Sequence, residues 1–184
     1  MANPVTLKFF QLHKDAQIPK FATEGSACFD LAYQPAADLE SIDGFDNNNA
    51  PIKRRVGSRE FVQGSPEVAR RSIDIMPGER LIFPTGLILD IPSGYSVRVH
   101  PRSSVGIKLG LTLPNCEGVI DSDYVDELFV VLHNITNRKV TITPFTRLAQ
   151  AELVKSLDYS LEVATKRPEQ KTNRNGGLGS TGTH

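Results

Sequence analysis

Short runs in which apolar and polar residues alternate, each ended by Pro or Gly, restrict the fold of this chain more than any other feature. The runs cover residues 5–12, 80–92, 95–101, 127–135, 139–143 and 148–155. Turn signals lie between them, at Pro77-Gly78, Ser93-Gly94 and Asn137-Arg138. Many short strands with frequent turns are typical of a β-sandwich or β-barrel. The sequence therefore predicts an all-β fold, with one short helix indicated at residues 65–72 by a Ser cap followed by Pro.

The charge balance and the shortness of the apolar runs exclude several classes of protein. Basic and acidic residues each number 21, so the net charge is zero. Because counterion release needs surplus positive charge, we expect neither a general nucleic-acid binder nor a membrane-surface binder. No run approaches the ~20 apolar residues of a membrane span, and the N-terminus has no charged region followed by an apolar one, as a secretory signal would. Cys28 and Cys116 form no ligand cluster with the four His, so we expect a reduced, cytoplasmic protein.

Two segments differ from the rest in composition. Residues 40–71 are polar, with six basic and five acidic side chains, and are interpreted as an insertion or flap. Residues 165–184 carry few apolar side chains and several Gly, which predicts a flexible C-terminal arm. We therefore expect a β domain over residues 1–164, followed by this arm.

The segment GVIDSDY, residues 118–124, places two carboxylates and a Tyr just before a predicted strand. A carboxylate at the rim of a sheet can take a proton from water, which makes Asp121 a candidate general base. A polar turn held by a side-chain hydrogen bond explains the same residues. The motif alone leaves both readings open.

Two further segments have groups that suit phosphate. Arg102, Ser103 and Ser104 offer a guanidinium and two hydroxyls at a strand end, although an Arg in a subunit interface would look the same. The tail sequence NGGLGSTG, residues 175–182, can turn successive N–H groups toward an anion, but a flexible linker has the same composition. Asp30 and Gln150 are polar residues between apolar neighbours, and each alone reads as an ordinary residue at the edge of the core.

The order of these five segments is more specific than any one of them. Asp30, residues 102–104, residues 118–124, Gln150 and the Gly-rich tail together resemble the five motifs of the trimeric dUTP pyrophosphatase (dUTPase) family. The resemblance extends from residue 5 to residue 182 and is interrupted by residues 40–71. It implies a β-barrel or jelly-roll subunit in a homotrimer whose sites take groups from three chains.

The resemblance also implies roles for individual residues. Asp121 would activate the water that attacks the α-phosphorus of dUTP, giving dUMP and pyrophosphate, and Tyr124 would stack on the deoxyribose and exclude a 2′-hydroxyl. Mg²⁺ would be held by phosphates and water, with Asp30 acting on its hydration shell rather than binding it directly. The remaining residues would bind substrate. Those for the phosphates are Arg102, Ser103, Ser104 and Gln150; those for uracil are Asn115, Gly118, Val119 and Ile120; those of the closing tail are Arg174, Leu178, Gly179, Ser180 and Thr181.

The chain departs from the family pattern at several positions. Cys28 replaces a Gly, Val125-Asp126 replace Arg-Gly, and Leu178 replaces the Phe that stacks on uracil. The tail Arg lies one residue later than usual, at Arg174, so that Arg167 and Lys171 are also candidates for its role.

Two alternatives follow from the family itself. A dCTP deaminase of the same fold would need a Glu where this chain has Val131. A dUTPase-like trimer could instead bind a regulatory protein through the basic residues of the insertion. An insertion of this kind would suit an enzyme of a bacterium or a phage-infected cell.

Overall fold

Twelve β-strands and one π-helix make up the regular structure of residues 4–57 and 71–173, the residues that the computed structural model describes. The strands are β1 (Lys8–Gln11), β2 (Phe29–Ala32), β3 (Ser41–Phe45), β4 (Pro51–Arg55), β5 (Ile73–Ile75), β6 (Arg80–Asp90), β7 (Tyr95–Pro101), β8 (Leu111–Thr112), β9 (Gly118–Ile120), β10 (Glu127–Asn134), β11 (Val140–Ile142) and β12 (Arg147–Lys155). The π-helix, Val105–Leu109, follows β7. The all-β prediction is confirmed. The helix predicted at residues 65–72 lies outside the described residues except for Arg71 and Ser72.

The strands form two main sheets and a small one. The larger sheet has the order β4-β3-β6-β10-β8, and β1 shares one edge of β6 with β3. The second sheet has the order β2-β12-β7-β9, and β5 pairs with β11. All the strand pairs are antiparallel. The long strands β6 and β12 therefore each join several others, and they position the remaining elements.

The core is built from the apolar side chains that alternate along the long strands. Leu81 and Phe83 of β6, Leu132 of β10 and Leu31 of β2 are almost completely buried. Phe83 packs edge-to-face on Tyr33 with the ring centroids 5.2 Å apart. A fully buried side chain of this size contributes ~1.5–3 kcal/mol, so this alternation both selects strands and holds the sheets together.

The region interpreted as an insertion contains a β-hairpin packed on the larger sheet. β3 pairs with β4 over its whole length and with Leu81 and Arg80 of β6. Arg54 of β4 forms an ion pair with the buried carboxylate of Glu79. Arg80 donates hydrogen bonds to Asn49 Oδ1 at 2.7 Å and to the Asp46 carbonyl at 2.5 Å. The described part of the segment is thus a docked edge hairpin.

The chain runs on from β12 as an exposed segment. Residues 156–173 belong to no strand or helix. Four apolar side chains at alternate positions, Leu157, Tyr159, Leu161 and Val163, are each at least 76% exposed. In the described part of the chain, no helix is long and apolar enough to cross a membrane.

Candidate active site

Asp30 lies between two arginines that belong to distant parts of the chain. Its Oδ1 is 2.6 Å from Arg102 Nε, and its Oδ2 is 2.9 Å from Arg147 Nη1. Asp30 and Arg102 are mostly buried, whereas Arg147 is half exposed. Two guanidinium groups around one carboxylate leave a net positive charge. The group is therefore suited to an anion with several oxygen atoms, such as a polyphosphate.

The other predicted phosphate-binding residues adjoin these arginines. Arg102 Nη1 donates to Ser104 Oγ at 3.3 Å, while Ser103 is exposed beside it. Gln150 pairs with Asp30 across β12 and β2, and its Nε2 donates to the Pro101 carbonyl at 3.1 Å. The phosphate-binding cluster consists of Asp30, Arg102, Ser103, Ser104, Gln150 and the additional Arg147.

The predicted base-reading residues lie on a turn and on strand β9, which pairs with β7. Cys116 adopts a positive φ of 63° in this turn, next to the exposed Asn115. A Cβ at Gly118 would lie 3.1 Å from Val99 Cβ, a tight contact, so Gly suits the close approach of β9 to β7. Glu117 lies 3.5 Å from both Arg98 and His100, and these contacts join the turn to β7.

Asp121 and Tyr124 share a cleft of about 440 Å³ at the C-terminal end of β9. The cleft is lined by Val119, Ile120, Asp121, Asp123, Tyr124, Leu128 and Phe129. A turn follows β9, since the Tyr124 N–H donates to the Asp121 carbonyl at 3.2 Å. The cleft combines a carboxylate with an apolar and aromatic wall, which suits a nucleoside next to a reacting phosphate.

The hydroxyl of Tyr124 has a defined partner. It donates to the Glu127 carbonyl at 2.7 Å. Partial burial raises the pKa of Tyr124, and the nearby Asp126 and Glu127 carboxylates raise it further. The phenol therefore stays protonated and keeps its role as a donor at neutral pH.

The structure brings the predicted site residues together as two sets within one chain. The cleft with Asp121 and Tyr124 shares no lining residue with the cavity of about 540 Å³ that contains Asp30 and Arg147. The predicted tail residues, Arg174, Leu178, Gly179, Ser180 and Thr181, lie outside the described residues.

Sequence reasoning missed Arg147 and Glu127. Arg147 is 117 residues from Asp30, its partner in the ion pair, and only the polar position at the start of an alternating strand marked it. Glu127 stands at the start of a predicted strand with no role assigned to it, but its side chain accepts a hydrogen bond from the Gly86 N–H at 2.7 Å. Both residues act through contacts between strands, which local patterns do not encode.

The described residues offer little to a directly bound metal ion. Within residues 4–57 and 71–173, no three His, Cys, Asp or Glu side chains are placed to hold one. Both oxygens of Asp30 already accept from arginines. Each carboxylate oxygen has a second lone pair, so Asp30 can still accept from a water molecule in a metal hydration shell.

Comparison with known proteins gives consistent matches over most of the chain. The dUTPase family model matches residues 68–182. The deoxyuridine 5′-triphosphate nucleotidohydrolase of Brucella melitensis is 38% identical over 145 residues, which cover 79% of this chain and 90% of that protein. The enzyme of the same name from Finegoldia magna is 41% identical over 137 residues, covering 74% and 93%.

A solved structure shows the same fold. A variant dUTPase from phage phi11 of S. aureus superposes with a TM-score of 0.64 at 16% identity, covering 90% of this chain and all of that one. That structure is described as revealing the coordination of a structural Mg(II) ion.

Proposed function

The chain belongs to the dUTPase family, and from this premise we propose that it hydrolyses dUTP to dUMP and pyrophosphate. The cleft that holds Asp121 and Tyr124 side by side is the observation that carries the proposal. Such an enzyme keeps uracil out of DNA and supplies dUMP for thymidylate synthesis.

In the proposed mechanism, Asp121 is the general base. Its exposed carboxylate takes a proton from a water molecule, whose oxygen attacks the α-phosphorus. The bond from that phosphorus to the bridging oxygen breaks, and pyrophosphate leaves with the electron pair. Negative charge grows on the phosphate oxygens during this step, so positive charge placed nearby in advance lowers the barrier.

The arginines of the phosphate-binding cluster would supply that positive charge. Arg102 would donate to the phosphates with the hydroxyls of Ser103 and Ser104 and the amide of Gln150. Asp30 holds Arg102 by its Nε atom. When bound, Mg²⁺ neutralises charge on the phosphates. The residues present suit an ion held by phosphates and water, with Asp30 accepting from that water.

The base and the sugar would lie in and beside the cleft. Asn115 and the backbone of Gly118, Val119 and Ile120 would read uracil. The Tyr124 ring would pack against the deoxyribose, where a 2′-hydroxyl would collide with it. These roles would give a preference for dUTP over dCTP and UTP.

The complete site would be assembled in a homotrimer. A cleft of one subunit would face the phosphate-binding cluster of another. This arrangement is supported by the lining of the cleft and of the Asp30 cavity, which share no residue within one chain. Residues 1–164 would form the β domain, and residues 165–184 would form an arm that brings Arg174, Leu178, Gly179, Ser180 and Thr181 over the substrate. Closure of such an arm excludes water from the reaction.

Deamination is not favoured, because the position of the deaminase carboxylate is occupied by the apolar Val131 of β10. The second alternative, a regulatory protein bound through the insertion at residues 40–71, stays a prediction from the sequence.

A pyrophosphate-release assay on the full chain with Mg²⁺ tests the proposed function. We expect rapid release from dUTP and release at least ~10²-fold slower from dCTP and UTP, since a site built around hydrogen bonds and a steric wall rejects such analogues strongly. Equal rates with all three nucleotides, or ammonia release from dCTP, would contradict the proposal.

A further inference from the structure

We propose that Glu127 is a positioning residue for sugar selectivity, and that its side chain fixes the place of the Tyr124 ring through a bulge in β6. The inference rests on the proposed function, because Tyr124 must first be the residue that excludes a 2′-hydroxyl.

The regular ladder between β6 and β10 is interrupted at the start of β10, beside the cleft. Glu127 pairs with Ile88 and Phe129 pairs with Pro84, so the register shifts between them. The extra residues on β6 include Gly86, which has a positive φ of 69°. A Cβ at Gly86 would lie 2.6 Å from His13 Nε2 and 2.9 Å from Ala16 Cβ, so the bulge has no space to shift toward this side.

Side chains replace the missing ladder bonds at this bulge. The carboxylate of Glu127 accepts from the Gly86 N–H at 2.7 Å, and the buried Thr85 hydroxyl donates to the Leu128 carbonyl at 2.6 Å. The bulge fixes two successive residues of β10 in this way. The Glu127 side chain therefore links the bulge of β6, at Gly86, to the first residue of β10.

The backbone of Glu127 also binds the side chain of Tyr124. The Tyr124 hydroxyl donates to the Glu127 carbonyl at 2.7 Å, while the Tyr124 side chain is 38% exposed on the cleft. Packing alone holds such a ring weakly, so the anchor of its hydroxyl decides where the ring lies. A shift of the Glu127 backbone moves the ring relative to the sugar.

The experiment measures kcat/KM for dUTP and for UTP in four full-length variants: Glu127→Ala, Glu127→Gln, Tyr124→Phe and the double variant Tyr124→Phe/Glu127→Ala. The readout is the ratio of the two kcat/KM values. We expect Glu127→Ala to lower the dUTP:UTP ratio by ~10-fold or more, since misplacing a positioning group by ~1 Å can cost ~10²-fold. Glu127→Gln keeps an oxygen acceptor for the Gly86 N–H, so its ratio should stay within about 2-fold of wild type.

The double variant identifies the route of the effect. If Glu127 acts through the Tyr124 hydroxyl, the ratio in Tyr124→Phe/Glu127→Ala will equal that in Tyr124→Phe alone. Independent, multiplicative losses, or an unchanged ratio in Glu127→Ala, would overturn the inference. If Glu127→Ala does not fold, Glu127→Asp replaces it, because the shorter carboxylate keeps the charge but cannot reach Gly86 unless the backbone moves.

The wild-type enzyme separates this inference from the function beneath it. Failure of wild type to release pyrophosphate from dUTP would refute the proposed function. Normal release from dUTP together with an unchanged ratio in the Glu127 variants would refute only the positioning role.

Discussion

At the residue scale, the chemistry depends most on Asp121. We expect Asp121→Asn to bind dUTP but to lose ~10²–10⁴-fold in kcat, because removing a general base typically has that effect. Single-turnover kinetics together with calorimetric binding of dUTP check this. Asp126→Asn is the matched control, since Asp126 carries the same charge in the same loop but does not line the cleft. Equal losses in both variants would mean that charge alone, and not proton transfer, is lost at residue 121.

Glu127 gives a prediction about stability and pH. Burial raises its pKa above the usual 4.5, although the Gly86 N–H, His13 and the Thr85 N–H act in the opposite direction. The folded state therefore favours the protonated form. The stabilising contribution of this group is present below pH 4.5 and is lost as the pH rises through the folded-state pKa.

Glu127→Gln removes this pH dependence because the amide does not ionise. We expect its Tm to equal or exceed that of wild type at pH 7, with the difference shrinking toward pH 4. Thermal unfolding across this range is the measurement, and Glu162→Gln, at an exposed position, is the control that should follow wild type throughout. A Tm difference that grows toward acid would show that the charged form is the one the fold favours.

Local motifs and their order allowed residues that lie close together in the structure to be grouped from the sequence, while their roles stay predictions. Asp121 and Tyr124 lie in one cleft, and Arg102, Ser104 and Gln150 lie around Asp30, as the order of motifs suggested. Arg147 and Glu127 could not be predicted, because their roles depend on partners in other strands. The strand register that joins them is a property of the whole fold.

At the element scale, the strands that were predicted are those that lie within alternating runs of the sequence, namely β1, β6, β7, β10, β11 and β12. The hairpin of β3 and β4 was not predicted, because Asp43, Gly44, Lys53 and Arg55 give it the composition of a loop. Edge strands tolerate such residues, since one side faces solvent and charge there prevents pairing with another chain. The strands β5, β8 and β9 have only two or three residues each and lie in none of these runs, whereas β11, equally short, lies within the run of residues 139–143.

Gly44 tests whether the hairpin is an integral part of the fold. A Cβ at this position would collide with the Arg80 carbonyl and the Leu81 side chain of β6. We expect Gly44→Ala to destabilise the protein by ~1–3 kcal/mol, as overpacking usually does, in chemical denaturation. Gly25→Ala is the matched control, since a Cβ there would have no atom within 4 Å. Equal stability of the two variants would mean that the hairpin does not depend on its contact with β6.

At the scale of the whole molecule, the described residues place parts of the proposed site at two cavities. Asp30 and Arg147 line one, Asp121 and Tyr124 line the other, and the two cavities share no lining residue, yet one nucleotide would have to contact both sets. A second copy of the chain can place its phosphate-binding cluster against the cleft of the first copy. The alternating apolar side chains of residues 157–163 support the same conclusion, because exposed apolar patches of this kind mark surfaces that bind another protein.

The homotrimer is therefore the prediction on which the assembled site depends. We expect light scattering to give a trimer mass for wild type and a lower mass for Leu161→Asp. Leu161 is 90% exposed in the single chain. A carboxylate at this position would be buried in the interface without a partner. Ser160→Asp adds the same charge at the adjacent polar position of the alternating segment, and it should remain trimeric.

A monomeric wild type with full dUTP cleavage would contradict the shared site. A trimeric Leu161→Asp would instead place the interface elsewhere on the molecule. If the trimer dissociates on dilution, pyrophosphate release should fall together with the measured mass. The reason is that each cleft then loses the phosphate-binding cluster of the neighbouring subunit.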